Sequence, residues 1–201
     1  MHAITVKQPW AEAIARHGKT IENRTRRPPW GLIGQRIAIH VGQATDAWVE
    51  AHAAGILSLE PPHLKPLLDW VIDPCAGAMP RRDNVPNAGR IIATARLVGW
   101  VADDGTAAWA PGILGVNARE SPWFTGPVGW VLADVRALQA PVVDSAPCKV
   151  CKGLKFDPSS SHTCCKCDGT GQQDKAIRGQ VYPFELTPEV AAAVLAAESQ
   201  P

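Results

Sequence analysis

The stretch that most constrains the fold is Gly89-Arg90-Ile91-Ile92-Ala93-Thr94-Ala95-Arg96-Leu97-Val98-Gly99-Trp100, a long β-prone run that is apolar at odd and even positions alike. Successive side chains of a strand point to opposite faces, so such a run needs a sheet that is closed on itself or covered on both sides. Further strand signals lie at residues 3–6, 129–138 and 180–186. Another covers residues 36–41, where alternation places Ile37, Ile39 and Val41 on one face. Helical patterns are fewer. Trp10, Ala11, Ala13, Ile14 and Ala15 recur as a short amphipathic helix, with Pro9 at its first turn and Gly18 as its stop. Residues 44–54, which include Trp48, read as a helix, and a helical turn is expected at 64–72. Residues 188–199 read as a closing helix with Thr187 as N-cap and Pro188 at the first helical position. The rest is Pro- and Gly-rich loop, notably 55–89 and the 103–126 loop with Trp109 and Trp123. Pro141-Val142 is expected to break the strand before it. Several strands with few helices between them predict a mixed α+β fold, mainly β: a small barrel flanked by helices.

A chain of 201 residues with 46% apolar content suits a single domain over 1–201. With 20 Lys/Arg against 19 Asp/Glu it is nearly neutral, which excludes a disordered polyelectrolyte. The balance hides a pattern. Residues 1–40 carry Lys7, Arg16, Lys19, Arg24, Arg26, Arg27 and Arg36 against Glu12 and Glu22, and residues 145–179 are basic as well. Local basic segments on a neutral protein point to an anionic partner, or equally to ordinary solvated faces. With no membrane-length apolar run and no signal-peptide pattern, the expectation is a cytoplasmic protein with no membrane association.

Five of the six cysteines fall together, and Cys75 stands apart. Cys148-Lys149-Val150-Cys151 and Cys164-Cys165-Lys166-Cys167 form two C-x2-C pairs separated by twelve residues. Two thiolate pairs on tight turns complete a tetrahedral shell for Zn2+, and four thiolates leave no open position, so the metal would be structural. Cys148, Cys151, Cys164 and Cys167 are the expected ligands, with Cys165 or His162 as substitutes for a neighbour. Such a metal would organise a polar segment with almost no core of its own. Its lysines either contact an anionic backbone or offset the charge of the thiolates. The second knuckle locally resembles the zinc repeat of J-domain chaperones.

The densest charge pattern is His17-Gly18-Lys19-Thr20-Ile21-Glu22-Asn23-Arg24. It follows the first helix and passes into an extended segment, so Glu22 and Arg24, two apart, project the same way. A basic loop comes next, Thr25-Arg26-Arg27-Pro28-Pro29-Trp30-Gly31, stiffened by two prolines. Here the residues allow three chemistries. Lys19, Arg24, Arg26 and Arg27 can contact phosphate, with Trp30 or Trp10 stacking on a base and Glu22 orienting Arg24 or accepting from a base edge. Alternatively, a buried Lys19 with its pKa lowered serves as base or nucleophile, with Glu22 beside it. Alternatively, the cysteine segment is a docking surface for a protein partner. Against the first two stands a bland reading, in which Trp10 is core and Glu22 and Arg24 simply pair.

Ile4-Thr5-Val6-Lys7-Gln8-Pro9-Trp10-Ala11, the Lys19-Thr20-Ile21-Glu22-Asn23-Arg24 block and the strand at 36–41 together resemble the ASCH family of the PUA-like β-barrel superfamily. That family carries a Gly-x-Lys-x-x-Glu-x-Arg motif. Lys19, Glu22 and Arg24 match its spacing, while Gly18 sits directly before the lysine and His17 takes the usual glycine place. The resemblance extends over the strands at 90–100 and 129–138 and the ending at 178–186, and makes 145–176 an insertion into one barrel loop. It implies a PUA-like barrel with a cleft suited to RNA or a nucleotide-like ligand. It also implies possible hydrolysis of acetylated cytidine or of RNA. In the hydrolase branch a threonine stands three residues after the motif lysine. Here that position is Glu22, Thr20 is out of register, and Glu120 is a distant carboxylate.

Overall fold

The structure, a computed structural model, describes residues 1–45, 85, 87–113, 117–147, 172–180 and 182–199. In chain order its elements are β1 (His2–Gln8), α1 (Trp10–Arg16), β2 (Ile21–Arg24), β3 (Arg36–Thr45), β4 (Ile91–Ala102), β5 (Ala107–Trp109), β6 (Val128–Val142), β7 (Asp144–Pro147), β8 (Gln172–Lys175), β9 (Phe184–Glu185) and α2 (Pro188–Glu198), with 3-10 turns at Trp30–Leu32 and Ala118–Glu120. The main sheet has seven strands in the order β2-β6-β4-β3-β1-β9, with β5 added on β4. Only β1 and β3 pair in parallel; the other ladders are antiparallel. The β4–β6 ladder shifts register at three places. Each extra residue bends its strand and tightens the twist, and the sheet curls into a half-barrel. A separate two-stranded ladder joins β7 to β8.

The sheet is covered on both faces, as the composition of β4 requires. Inside the curl, Ile4, Val6, Ile37, Ile39, Val41, Leu97, Trp100, Trp130 and Leu132 pack with Ala11 and Ile14 of α1. The predicted set Ile37, Ile39 and Val41 is fully buried in this one cluster. Outside, Ala3, Ala38, Ile91 and Leu138 meet Phe184, Leu186 and α2. Further along, Val98, Val101, Val131 and Ile21 are roofed by Trp109, Trp123 and Phe124 from the long loop. The residues of β4 are shared among all three clusters, and every one but Arg96 is buried.

α2 buries only Val190 and Val194, worth about 1.5–3 kcal/mol each. Its far end is held by charge: Glu198 Oε1 lies 3.2 Å from Arg36 Nη1 and 2.8 Å from Arg136 Nη1, tying the helix to β3 and β6. Its start is the expected one, with Thr187 Oγ1 accepting from the Val190 N–H and Pro188 at the first position.

Four sequence expectations need correction. Pro141-Val142 does not end a strand; β6 runs through it. The ladder already skips there, Val142 pairing with Ile91 and Ala137 with Ala93, so the missing proline N–H leaves no bond unmade. Of the strand expected at 180–186, the described residues form only Phe184–Glu185, and the Gln180 N–H bonds to Thr5 Oγ1 instead of a ladder. The long 103–126 loop contains β5 and a 3-10 turn. The helix expected over 44–54 begins inside β3, which extends to Thr45; its remainder, the turn at 64–72 and all six cysteines lie outside the described residues. Among the described residues no helix is long and apolar enough to cross a membrane.

Candidate functional site: a buried lysine–glutamate–arginine cluster

α1 stops where expected. Gly18 takes φ +70°, a conformation that helix cannot continue through, and the Lys19 N–H turns back to the Ala13 carbonyl at 3.0 Å. The chain then enters β2, held against β6 by pairs such as Glu22 with Trp130. Lys19 on the turn and Glu22 and Arg24 on the strand converge. Lys19 Nζ lies 3.8 Å from Glu22 Oε2, and Arg24 Nε lies 3.2 Å from Glu22 Oε1. The side chains are 3%, 10% and 19% exposed for Lys19, Glu22 and Arg24. Lys19 Nζ also donates to the Ile21 carbonyl, and Arg24 Nη2 donates to the Thr5 carbonyl on β1 at 2.6 Å. Arg24 Nε, despite its proximity to Glu22, has no hydrogen-bond partner among the described residues.

The cluster is walled by aromatic rings. Lys19 Nζ sits 5.8 Å from the Trp10 centroid and 5.7 Å from that of Trp123. The Arg24 guanidinium lies 5.7 Å from the Trp130 ring, whose Nε1 donates to the Arg26 carbonyl at 2.8 Å. Trp10 is half-buried and packs on the inner core, so it serves as core and as cluster wall together. Two cations around one carboxylate in an apolar setting are not a stability device. Desolvation costs several kcal/mol per ion, and the mutual attraction repays it only in part. Burial is also the main cause that holds the Lys19 amine below its ordinary value of 10.5; Glu22 opposes this and Arg24 adds to it.

That depression has a testable sign. Between the folded value and 10.5 the unfolded chain keeps the Lys19 proton that the folded chain has lost, so stability rises with pH across this window. Urea midpoints measured from pH 8 to 10.5 should climb more steeply in the wild type than in Lys19→Met. Parallel profiles would exclude a depressed Lys19.

The basic loop faces outward. Arg26 and Arg27 are exposed, with their guanidinium groups 5.2 Å from the Tyr182 ring and 4.4 Å from the Trp100 ring. Arg27 also reaches Thr106 Oγ1 at 3.1 Å and Asp104 Oδ2 at 3.8 Å. Trp30 is 75% exposed. The structure thus brings Lys19, Glu22, Arg24 and Trp10 together, and sets Arg26, Arg27 and Trp30 on the loop leaving β2. Thr20 is exposed, with its carbonyl engaged by the Leu132 N–H, and Glu120 is exposed on its 3-10 turn. Sequence reasoning missed Thr5, Trp123 and Trp130 as members of the cluster. No local signal marks Trp123 or Trp130. Thr5 sits inside the N-terminal block, but its contribution is a backbone carbonyl.

Cys148, Cys151, Cys164 and Cys167, with Cys165 and His162, lie outside the described residues. What is described is the base of their segment: Pro147 pairs with Gln172 and Asp144 with Lys175, whose Nζ lies 3.0 Å from Asp144 Oδ2. Among the described residues no group of three or more His, Cys, Asp or Glu side chains is placed to hold a metal. No protein-family model matches the chain, and no curated protein matches it. Its class rests on fold and site alone: a curled, mainly β half-barrel that buries a lysine–glutamate–arginine cluster between tryptophans.

Proposed function

We propose that the chain is an ASCH-type, PUA-like module that binds RNA or a nucleotide-like ligand at this cluster. The observation that carries the reading is the convergence of Lys19, Glu22 and Arg24 in a largely buried, tryptophan-walled position. Buried ionisable groups in such company are costly, and costly groups concentrate where they serve binding or chemistry. In this reading the recessed groups read a base edge, Glu22 accepting and Lys19 and Arg24 donating. Arg26 and Arg27 meet phosphate oxygens, and Trp30 offers a stacking face.

The experiment is fluorescence anisotropy with a short single-stranded RNA over a salt series. Affinity should be highest at low salt and fall as salt rises, because phosphate contacts release counterions. Trp30→Ala should weaken binding roughly 5- to 150-fold, the effect of losing a stacking ring worth about 1–3 kcal/mol. Absence of binding at low salt sinks the proposal.

A second reading is favoured by the buried, pKa-lowered Lys19 amine. It makes the module a hydrolase for a modified nucleoside such as acetylated cytidine, or for RNA. Lys19 would be the base or nucleophile, held by Glu22. Turnover of acetylcytidine that survives Lys19→Ala would eliminate it.

We also infer a structural Zn2+ on Cys148, Cys151, Cys164 and Cys167, within an insertion at 145–176. The donor set is four thiolates in two C-x2-C pairs, and the β7–β8 ladder holds the two ends of their segment side by side. Deleting 145–176 without loss of RNA binding would turn that segment into a candidate surface for a protein partner.

A further inference from the structure

His40 on β3 is fully buried, yet it belongs to neither the charged cluster nor the apolar core proper. Its ring spans two chain segments. Nε2 lies 2.9 Å from the Ile177 carbonyl, and Nδ1 lies 3.1 Å from Thr5 Oγ1 on β1. A carbonyl only accepts, so Nε2 carries the proton, and in the neutral ring Nδ1 accepts from the Thr5 hydroxyl. Thr5 Oγ1 in turn accepts from the Gln180 N–H at 3.1 Å. The edge of Phe184 closes another side, with ring centroids 5.6 Å apart. The segment bound in this way, residues 176–180, follows β8. Its other tie is the Ile177 N–H to the Gly89 carbonyl at 2.8 Å, and the Ile177 side chain is buried in the outer core.

The approach of the segment to the ring is close enough to demand glycine. A Cβ on Gly179 would lie 2.5 Å from His40 Cε1 and closer still to Thr5 Oγ1. Among the described residues, the contacts of the ring include no carboxylate. Of the described charged or titratable residues on the packing elements, Lys7 on β1, Arg178 in the segment, Tyr182 after it and Glu185 on β9 are exposed, and His2 on β1 and Arg90 before β4 are partly so; the ring's described contacts are with Thr5, Ile177 and Phe184.

We propose that neutral His40 is the pin of a clasp holding residues 176–180 on the barrel, and that its protonation releases them. In the protonated ring Nδ1 becomes a donor. The Thr5 hydroxyl must then turn its own hydrogen away, toward a neighbourhood that offers it no acceptor among the described contacts. Among the described residues the imidazolium is left with a carbonyl, a hydroxyl and an aromatic edge, but no anion. Lifting the segment lets water reach the charged ring. Burial holds the ring below its ordinary value of 6.5, against the opposing effect of the Ile177 carbonyl. The released form therefore protonates first, and the closed form loses ground as pH falls below 6.5, by at most tenfold per pH unit for one proton. The clasp does not depend on the nucleic-acid reading, but it adjoins that site: the Thr5 carbonyl accepts from Arg24, and Tyr182 carries Arg26.

The test is amide hydrogen exchange on the full chain between pH 7.5 and 5.0, expressed as protection factors, with no RNA present. Protection at Ile177 and Gln180 should fall on acidification while Ala95 and Leu97 in β4 stay protected. His40→Gln should remove that pH dependence. Should that variant fail to fold, Thr5→Val supplies a second arm: without the bridging hydroxyl, Gln180 should be unprotected already at pH 7.5. Constant protection at 177 and 180, a fall in step with β4, a pH dependence that survives His40→Gln, or full protection of Gln180 in Thr5→Val overturns the clasp.

Discussion

Replacing Glu22 by alanine is expected to destabilise the protein by about 3 kcal/mol or more, the usual consequence of removing one partner from a buried charge pair. Glu22 is the only anion that contacts the Lys19 ammonium among the described residues, and it faces Arg24 as well. Without it two cations face each other across an apolar gap. For a chain of 201 residues this corresponds to a melting temperature lower by roughly 6–12 °C. The defect should shrink as pH rises, because Lys19 can then discard its proton. It should also shrink in the Glu22→Ala, Lys19→Met double variant, where no ammonium remains to be paired. A double variant whose loss equals the sum of the two single losses would show that Lys19 and Glu22 are not coupled, and would remove the basis for treating the cluster as one unit. RNA binding should be lost in the single variant under conditions where it remains folded.

Stripping the metal is the other change with a large expected effect. If Cys148, Cys151, Cys164 and Cys167 hold Zn2+, purified protein carries one zinc per chain, and Cys148→Ser or Cys164→Ser loses most of it. Small four-ligand zinc peptides draw about 10–16 kcal/mol from the metal, so a segment with little core depends on it. A strong chelator should therefore expose the thiols to titration and open 148–171 to protease. The main sheet, whose described clusters are built from the strands, the helices and the 103–126 loop, should keep its circular dichroism. Metal-free protein purified without chelator, or zinc content that depends on Cys165 and not on Cys164, would rule out the assigned ligand set.

The periodic features were legible in the sequence because they are local. Alternation in 36–41, the Gly18 stop and the Thr187–Pro188 start each depend on a few neighbouring residues, and each is found in the fold. The pairing direction of Glu22 and Arg24 followed from their spacing on a strand. Misread features were those where long-range pairing overrides local preference. Pro141 is accommodated because the β4–β6 ladder skips over it, and the Gln180 N–H bonds to Thr5 Oγ1 instead of a ladder. Neither fact can be inferred from the residues themselves, since each depends on the register of a distant strand.

The sequence by itself determined that this chain builds a mainly β fold around a strand apolar on both faces, with Lys19, Glu22 and Arg24 at one helix-to-strand junction. Those are consequences of backbone period and residue type, and they need no partner. Only the tertiary structure decided that the junction is buried. The walls of the cluster come from far along the chain: Trp123 from the long loop, Trp130 from β6 and the Thr5 carbonyl from β1. Burial turns a charge pattern that would be an ordinary solvated surface into a lysine with a depressed pKa beside a shared carboxylate. Desolvation is a property of the assembled surroundings, and for that reason it could not be read from the eight residues that carry the charges.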